Sequence, residues 1–243
     1  MPRATTTMTT TSFEPFLQRD FLAFEKQRQR DEELNALRLA IRRKLKRIAD
    51  RTKVLAKEQG VELAGKEGLH HPYAFNGFRV REQRSYLCRS DKERKKLAAF
   101  FGDALGKDAE THYIQTVLEV SIDDQVVEAA LRVHPQAWWD GQHLKKKVAE
   151  PAGLTEFVAM LNALPKGFGL RVHDWRNVQW AGSARPGDVK ELMAAYTPGD
   201  HWLHIVRELP KEDALAMELE APEWLVQSLL ALLPLYAFTL WVP

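Results

Sequence analysis

YIQTVLEVSI (residues 113–122), DD (123–124) and QVVEAALRV (125–133) together decide the fold. In the first run Ile114, Thr116, Leu118, Val120 and Ile122 share one side of an extended chain, because successive strand side chains point to opposite faces. In the second run Val127, Ala129, Leu131 and Val133 do the same. Asp123 and Asp124 supply turn chemistry between two alternating runs, so an antiparallel hairpin is predicted.

Upstream, GFRVREQRSYLCR (77–89) alternates weakly and is predicted as a strand or hairpin. Ser90-Asp91-Lys92-Glu93 has the order of a capping box, so a helix opens there and ends near Gly102 or Gly106. Downstream, Pro135 sits where a helix would start, with Trp138 to Val148 as its body. Leu154 to Leu164 is a second short helix, stopped by Pro165 and Gly167. LRVHDW (170–175) and WLHIVREL (202–209) are strand-like, and Pro186-Gly187-Asp188 leads into a helix that ends at Tyr196. Helices packed on an antiparallel sheet make the predicted class α+β.

The first structured segment is predicted helical, with Phe13, Phe16, Leu17, Phe21, Leu22 and Phe24 at helical intervals and Asp20 as a cap between two turns. A long helix follows from about Asp31 to Glu58, with Leu34, Leu37, Ile41, Leu45, Ile48 and Leu55 as its apolar stripe. Thr52 fills the gap in that stripe, and Gly60 is its natural stop. At the other end, Trp224 to Pro243 carries no charge over a length that spans a bilayer. Gln227, Ser228 and Thr239 interrupt it, Pro234 breaks it, and no Lys or Arg flanks it, so a buried helix followed by a buried strand is predicted in place of an anchor. With no internal repeat and no long linker, one α+β domain over 13–243 is expected after a Thr-rich, frayed tail, 1–12.

The order of elements carries a resemblance. FEPFLQRDFLAFE (13–25), a long basic helix, a central hairpin running into a helix and a closing LLPLYAF (232–238) resemble the uncharacterised bacterial YktB-like group of conserved hypothetical proteins. The likeness is one of element order over most of the chain. It implies the fold and brings no chemistry with it.

The 243 residues are 45% hydrophobic and 28% charged, ordinary globular values that exclude wholesale disorder. A single cysteine, Cys88, excludes an internal disulfide framework and fits a reducing, cytoplasmic compartment. Met1 to Ser12 lacks the apolar core of an export signal. The net charge of +2 hides an asymmetry: residues 1–107 hold 24 Lys and Arg against 14 Asp and Glu, and residues 108–243 hold 11 against 19. Such asymmetry suggests a surface facing a polyanion on the first half, or contact between the halves within or between chains, as in a homo- or hetero-oligomer.

The basic residues concentrate on the long helix: Arg38, Arg42, Arg43, Lys44, Lys46, Arg47, Arg51, Lys53 and Lys57 stand against Asp50 alone. Phosphate backbones attract such a surface by charge and counterion release. A non-enzymatic module contacting nucleic acid or an acidic protein surface through Arg38, Arg42, Arg43, Lys46, Arg47, Arg51 and Lys53 is the expected function. Arg89, Lys92, Arg94, Lys95 and Lys96 could extend that surface. The alternative is a metal-dependent or histidine-dependent hydrolase with a pocket beside the hairpin at His134, Trp138, Trp139, Asp140 and His143. No HExxH, Cys/His ligand set, GxSxG elbow or phosphate loop is present, so no metal and no cofactor is expected.

Overall fold

Leu118 faces Leu131, Val120 faces Ala129 and Ile122 faces Val127 across the predicted hairpin, now β3 (Val117–Ile122) and β4 (Val126–Val133). Asp123 closes the turn: its Oδ1 accepts from the backbone N–H of Gln125 at 2.7 Å and of Val126 at 2.8 Å. The structure, a computed structural model, describes residues 13–106 and 114–242. Tyr113 and the expected tail 1–12 lie outside the described residues.

The hairpin is the centre of a seven-stranded sheet. Its other members are β1 (Leu63–Glu67), β2 (Gln83–Arg89), β5 (Phe168–Val172), β6 (Gln179–Trp180) and β7 (Leu203–Pro210). The strand order is β1-β2-β3-β4-β7-β5-β6, and every pairing is antiparallel. The helices are α1 (Gln18–Leu22), α2 (Asn35–Glu58), α3 (Asp91–Gly106), α4 (Trp138–Ala149), α5 (Pro151–Ala163), α6 (Pro186–Ala195), α7 (Lys211–Ala216), α8 (Glu220–Ala231) and α9 (Leu233–Thr239).

Alternation sorts the sheet into two unlike faces. Leu87, Leu118, Val120, Leu131, Leu170 and Ile205 share one buried core with Ile41, Leu45 and Ile48 of α2, Phe157 and Leu161 of α5, and Leu225 and Leu229 of α8. Each such fully buried side chain contributes roughly 1.5–3 kcal/mol. The opposite face carries Arg84, Glu119, Ser121, Glu128, Arg132, His204, Arg171 and Glu208 in register across five strands. Its only buried apolar cluster among the described residues is Tyr86, Cys88 and Val117. This is the predicted α+β arrangement, with the long N-terminal helix laid across β1 and β2.

Several elements differ from expectation. The first helix is only α1, because Asp20 turns back to accept from the Leu17 N–H at 2.9 Å and is buried. The strand expected over 77–89 begins at Gln83, since Gly77 and Phe78 both take left-handed φ, 61° and 56°, which no strand accommodates. The helix expected over Trp138 to Val148 is, by contrast, present as α4; before it His134 Nδ1 accepts from the Gln136 N–H at 3.0 Å. The closing strand is α9: Pro234 stands in its first turn, where a missing N–H costs nothing, and Thr239 Oγ1 donates to the Leu235 carbonyl. The helical stretch Glu220–Thr239 is long and apolar enough to cross a membrane, and 61% of that stretch is buried inside the fold.

Candidate nucleic-acid interface

Periodicity on α2 divides its cations into two sets. Arg38, Ile41, Leu45, Ile48 and Thr52 recur at threes and fours and form the buried stripe. Arg38 therefore points inward and is 0% exposed. Its guanidinium donates to the carbonyls of Ala23 (3.3 and 3.1 Å), Arg28 (2.6 Å) and Asp31 (2.7 Å), and to Asn35 Oδ1 at 3.3 Å. Burial pushes its pKa below the usual value, and Asp31 opposes that shift. Arg38 ties down the segment before α2 and takes no part in a contact surface, a correction to the expectation from sequence. Lys44 is likewise buried and paired with Asp20 at 2.6 Å, with the Pro15 carbonyl at 2.9 Å.

The outward set is partly neutralised within the chain. Arg47 pairs with Glu14, Lys46 with Asp50 at 2.5 Å, and Lys53 with Asp50 at 3.6 Å. Arg43, Arg51 and Lys57 have no ion-pair partner among the described residues. Arg42 Nη1 lies 3.2 Å from His70 Nδ1, which joins the helix to the segment that follows β1. In the second basic cluster Arg89 is buried and Arg94 pairs with Asp91. Lys92, Lys95 and Lys96 stay exposed.

That segment, from Gly68 to Glu82, is where aromatic rings and unpaired arginines meet. Pro72 and the 3-10 turn Ala74–Asn76 shape it; Asn76 Oδ1 accepts from the Tyr73 N–H at 2.8 Å, and Asn76 Nδ2 donates to the His71 carbonyl at 2.9 Å. Two consecutive left-handed residues, Gly77 and Phe78, then reverse the chain. Val80 anchors the far end, buried and donating from its N–H to the Gln29 carbonyl at 2.8 Å. A loop so tied holds its rings outward: Phe75 is 91% exposed, Phe78 60% and Tyr73 49%. Ring centroids of His70 and His71 are 4.9 Å apart, those of His71 and Tyr73 6.1 Å, and those of Tyr73 and Phe75 5.7 Å. Burial and the nearby Arg42 push the His70 pKa down.

Between this loop and the sheet lies a groove of about 870 Å³, lined by Phe75, Arg79, Arg81, Arg84, Tyr86 and His134 among others. Arg79 and Arg81 have no side-chain partner among the described residues. Arg84 is held by Glu82 and, at 3.6 Å, by Glu119. Burial, with Arg84 adding to it, pushes His134 down to about 4, so the ring is neutral at pH 7. The groove is lined by three arginines against Glu67 and Glu82, with Phe75 and Tyr86 as its rings. The basic helix itself carries no aromatic ring; the rings lie in HHPYAFNGFRVR (70–81), ahead of Arg79 and Arg81.

Neither a protein-family model nor a curated protein matches the chain.

The polar face of the sheet beside the groove is closed by its own ion pairs. Arg132 donates to Glu119 at 2.8 Å and also to Glu128; its Nη1 lies 2.9 Å from His204 Nδ1. Ser121 Oγ donates to Glu128 at 2.8 Å, and Arg171 to Glu208 at 2.9 Å. Charges this well matched leave little to offer a ligand.

The residues of the alternative pocket do not converge. His134 lines the groove, where its ring meets Trp202 at 4.1 Å. Trp139 and Asp140 line a separate, water-sized cavity of about 10 Å³ with Arg89 and Trp241. Asp140 is saturated: Oδ1 accepts from Arg89 at 2.6 Å and the Trp241 N–H at 2.8 Å, and Oδ2 from Arg89 at 3.0 Å and the Thr116 N–H at 2.7 Å. A buried carboxylate with four donors has no lone pair directed at a substrate or metal. Trp138 and Trp139 form an edge-to-face pair at 4.8 Å, and Trp139 stacks on Trp241 at 5.2 Å. His143 lines neither cavity; burial and Lys147 push its pKa down. Among the described residues no three His, Cys, Asp or Glu side chains group closely enough to hold a metal.

Proposed function

We propose that the protein is a non-enzymatic binding module for single-stranded nucleic acid, held by the loop from His70 to Arg81 and the groove behind it. The observation that carries this reading is a loop with exposed Tyr73, Phe75 and Phe78 beside Arg79 and Arg81, which have no side-chain partner among the described residues, with Phe75 and both arginines lining one groove. Bases present π-faces that stack on aromatic rings whatever their sequence, and arginines follow the phosphates. Duplexes hide those faces, so the rings favour single strands. Arg42, Arg43 and Arg51 on α2 extend the cationic field beyond the loop, and the Arg42–His70 contact makes the two surfaces continuous.

The test is anisotropy of labelled single-stranded RNA, single-stranded DNA and duplex at two salt concentrations. Single strands are expected to bind more tightly than duplex. Replacing Phe75 and Phe78 by alanine should cost about 1–3 kcal/mol per stacked base. Reversing Arg79 and Arg81 to glutamate should lower the salt slope by at least about 1.4, at roughly 0.7 per phosphate on a single strand. Absence of binding at low salt, or binding indifferent to all four substitutions, would refute the reading.

A further inference from the structure

Strand β1 ends the sheet, and the parity of its ladder shows which backbone groups it leaves open. Residues of β1 and β2 pair so that Leu63 faces Arg89 and Glu67 faces Ser85. One step further on, the Gly68 N–H donates to the Arg84 carbonyl at 2.9 Å. In an antiparallel ladder, residues that exchange such bonds alternate with residues whose N–H and C=O point away. Ala64 and Lys66 therefore bond to β2, and Leu63, Gly65 and Glu67 turn their backbone groups outward. No described backbone or side chain answers those outward groups.

Leu63 and Gly65 open into a groove of about 490 Å³ between α2 and the start of α3, lined by Lys53, Val54, Lys57, Ala64 and Arg94 among others, while Glu67 lines the groove of the aromatic loop. Val54 is 50% exposed at the wall of this groove and gives an apolar side chain something to rest on. Glu62 and Asp91 are its acidic members, and Asp91 is paired with Arg94. Lys57 has no partner, nor have the exposed Lys92, Lys95 and Lys96 on the α3 turns beside it, among the described residues. Natural edges are blunted by very short strands, charged side chains, bulges, proline or covering elements. This one has five residues, Lys66 and Glu67 among them, and no described strand pairs with its outer side.

We propose that the β1 edge takes an extended acidic segment of a partner polypeptide, added as an eighth strand antiparallel or parallel to β1. Outward N–H and C=O groups at Leu63, Gly65 and Glu67 recognise a peptide backbone and have no counterpart on a nucleotide chain. Lys53 and Lys57 on the α2 wall select acidic side chains. A second copy of this chain would bring the same lysines face to face, which disfavours self-pairing. The Leu63 and Gly65 end of the site lies in its own groove and Glu67 borders the groove of the aromatic loop; the inference does not rest on the nucleic-acid reading.

The probe is a fluorescein-labelled peptide of alternating glutamate and valine, eight residues long, measured by anisotropy against the full chain. It is expected to bind, and its Lys-Val counterpart is not. The same peptide N-methylated at alternate residues should lose binding, because methylation removes the donors that strand addition needs. On the protein side Gly65→Pro deletes one outward donor and no ladder bond, a change that edge strands tolerate. It should weaken peptide binding about tenfold with thermal stability and oligonucleotide binding unchanged. Lys53→Glu with Lys57→Glu provides a second variant that keeps the strand intact, and it should weaken binding in a salt-dependent way. Failure of the acidic peptide to bind overturns the proposal, as does equal binding by its N-methylated form or by both variants. A wild-type dimer that Gly65→Pro dissolves also overturns it, in favour of self-pairing.

Discussion

Replacing Arg38 by methionine separates a cation that builds the fold from cations that face solvent. Methionine keeps much of the stem volume and removes the guanidinium. The carbonyls of Ala23 and Asp31 then lose the guanidinium that answers them, while that of Arg28 keeps the Asp31 N–H at 3.0 Å. Each buried acceptor left alone costs about 1–3 kcal/mol. The Asp31 carbonyl stands at the protein's margin, where water can enter, so the sum for the two falls toward the low end, about 2–4 kcal/mol. Against a whole-domain stability of about 5–15 kcal/mol, such a loss brings the fold to the edge of unfolding. Urea melts followed by tryptophan fluorescence would read it as a lower midpoint with an unchanged slope. Arg43→Met, on the solvent side of the same helix, should change stability by less than about 0.5 kcal/mol. A loss under about 1 kcal/mol for Arg38→Met would refute the account of Arg38 as the clasp of the N-terminal segment.

Acid should destabilise the protein through its neutral histidines. Burial first, then Arg132, pushes His204 down to about 3, and His134 stands at about 4. An unfolded histidine titrates near 6.5, so both contribute full stability above that pH and lose it progressively as pH falls toward 3–4. His204→Gln should therefore show a smaller drop in stability between pH 7.5 and 4.5 than the parent, by on the order of 2 kcal/mol; equal drops in paired urea melts would contradict this. His134 is partly exposed, so solvent screening reduces its share. Asp140→Asn leaves Arg89 buried with its charge unmatched and should cost about 3–5 kcal/mol, with oligonucleotide affinity unchanged in native buffer. A variant of full stability would instead point to a chemical role for Asp140.

The hairpin was legible because both of its strands alternate and an Asp-Asp pair divides them, so pattern and turn chemistry agree. Strand β1 was not: Leu-Ala-Gly-Lys-Glu has almost no intrinsic preference for a strand, and pairing with β2 alone makes it one. Helix α9 was misread because LYAFTLWV is apolar throughout, and an apolar run carries no period that separates helix from strand. Arg38 was readable in principle, since it falls on the same spacing as Ile41, Leu45 and Ile48. Charge count outweighed position in judging it. The aromatic loop was hidden for a different reason. Its rings lie outside the basic helix in sequence and reach it only through the Arg42–His70 contact, which the fold creates.

Strand β7 is the keystone of assembly. It enters the sheet between β4 and β5, and β5 with β6 reaches the rest of the sheet only through it. The β3–β4 hairpin closes over two turn residues and can form early, whereas β7 returns only after α4, α5 and α6 have been made. Until it docks, VVEAALRV of β4 presents a bare, mostly apolar edge to other chains. Refolding yield should therefore fall with protein concentration, with aggregation beginning at that edge before the sheet is complete.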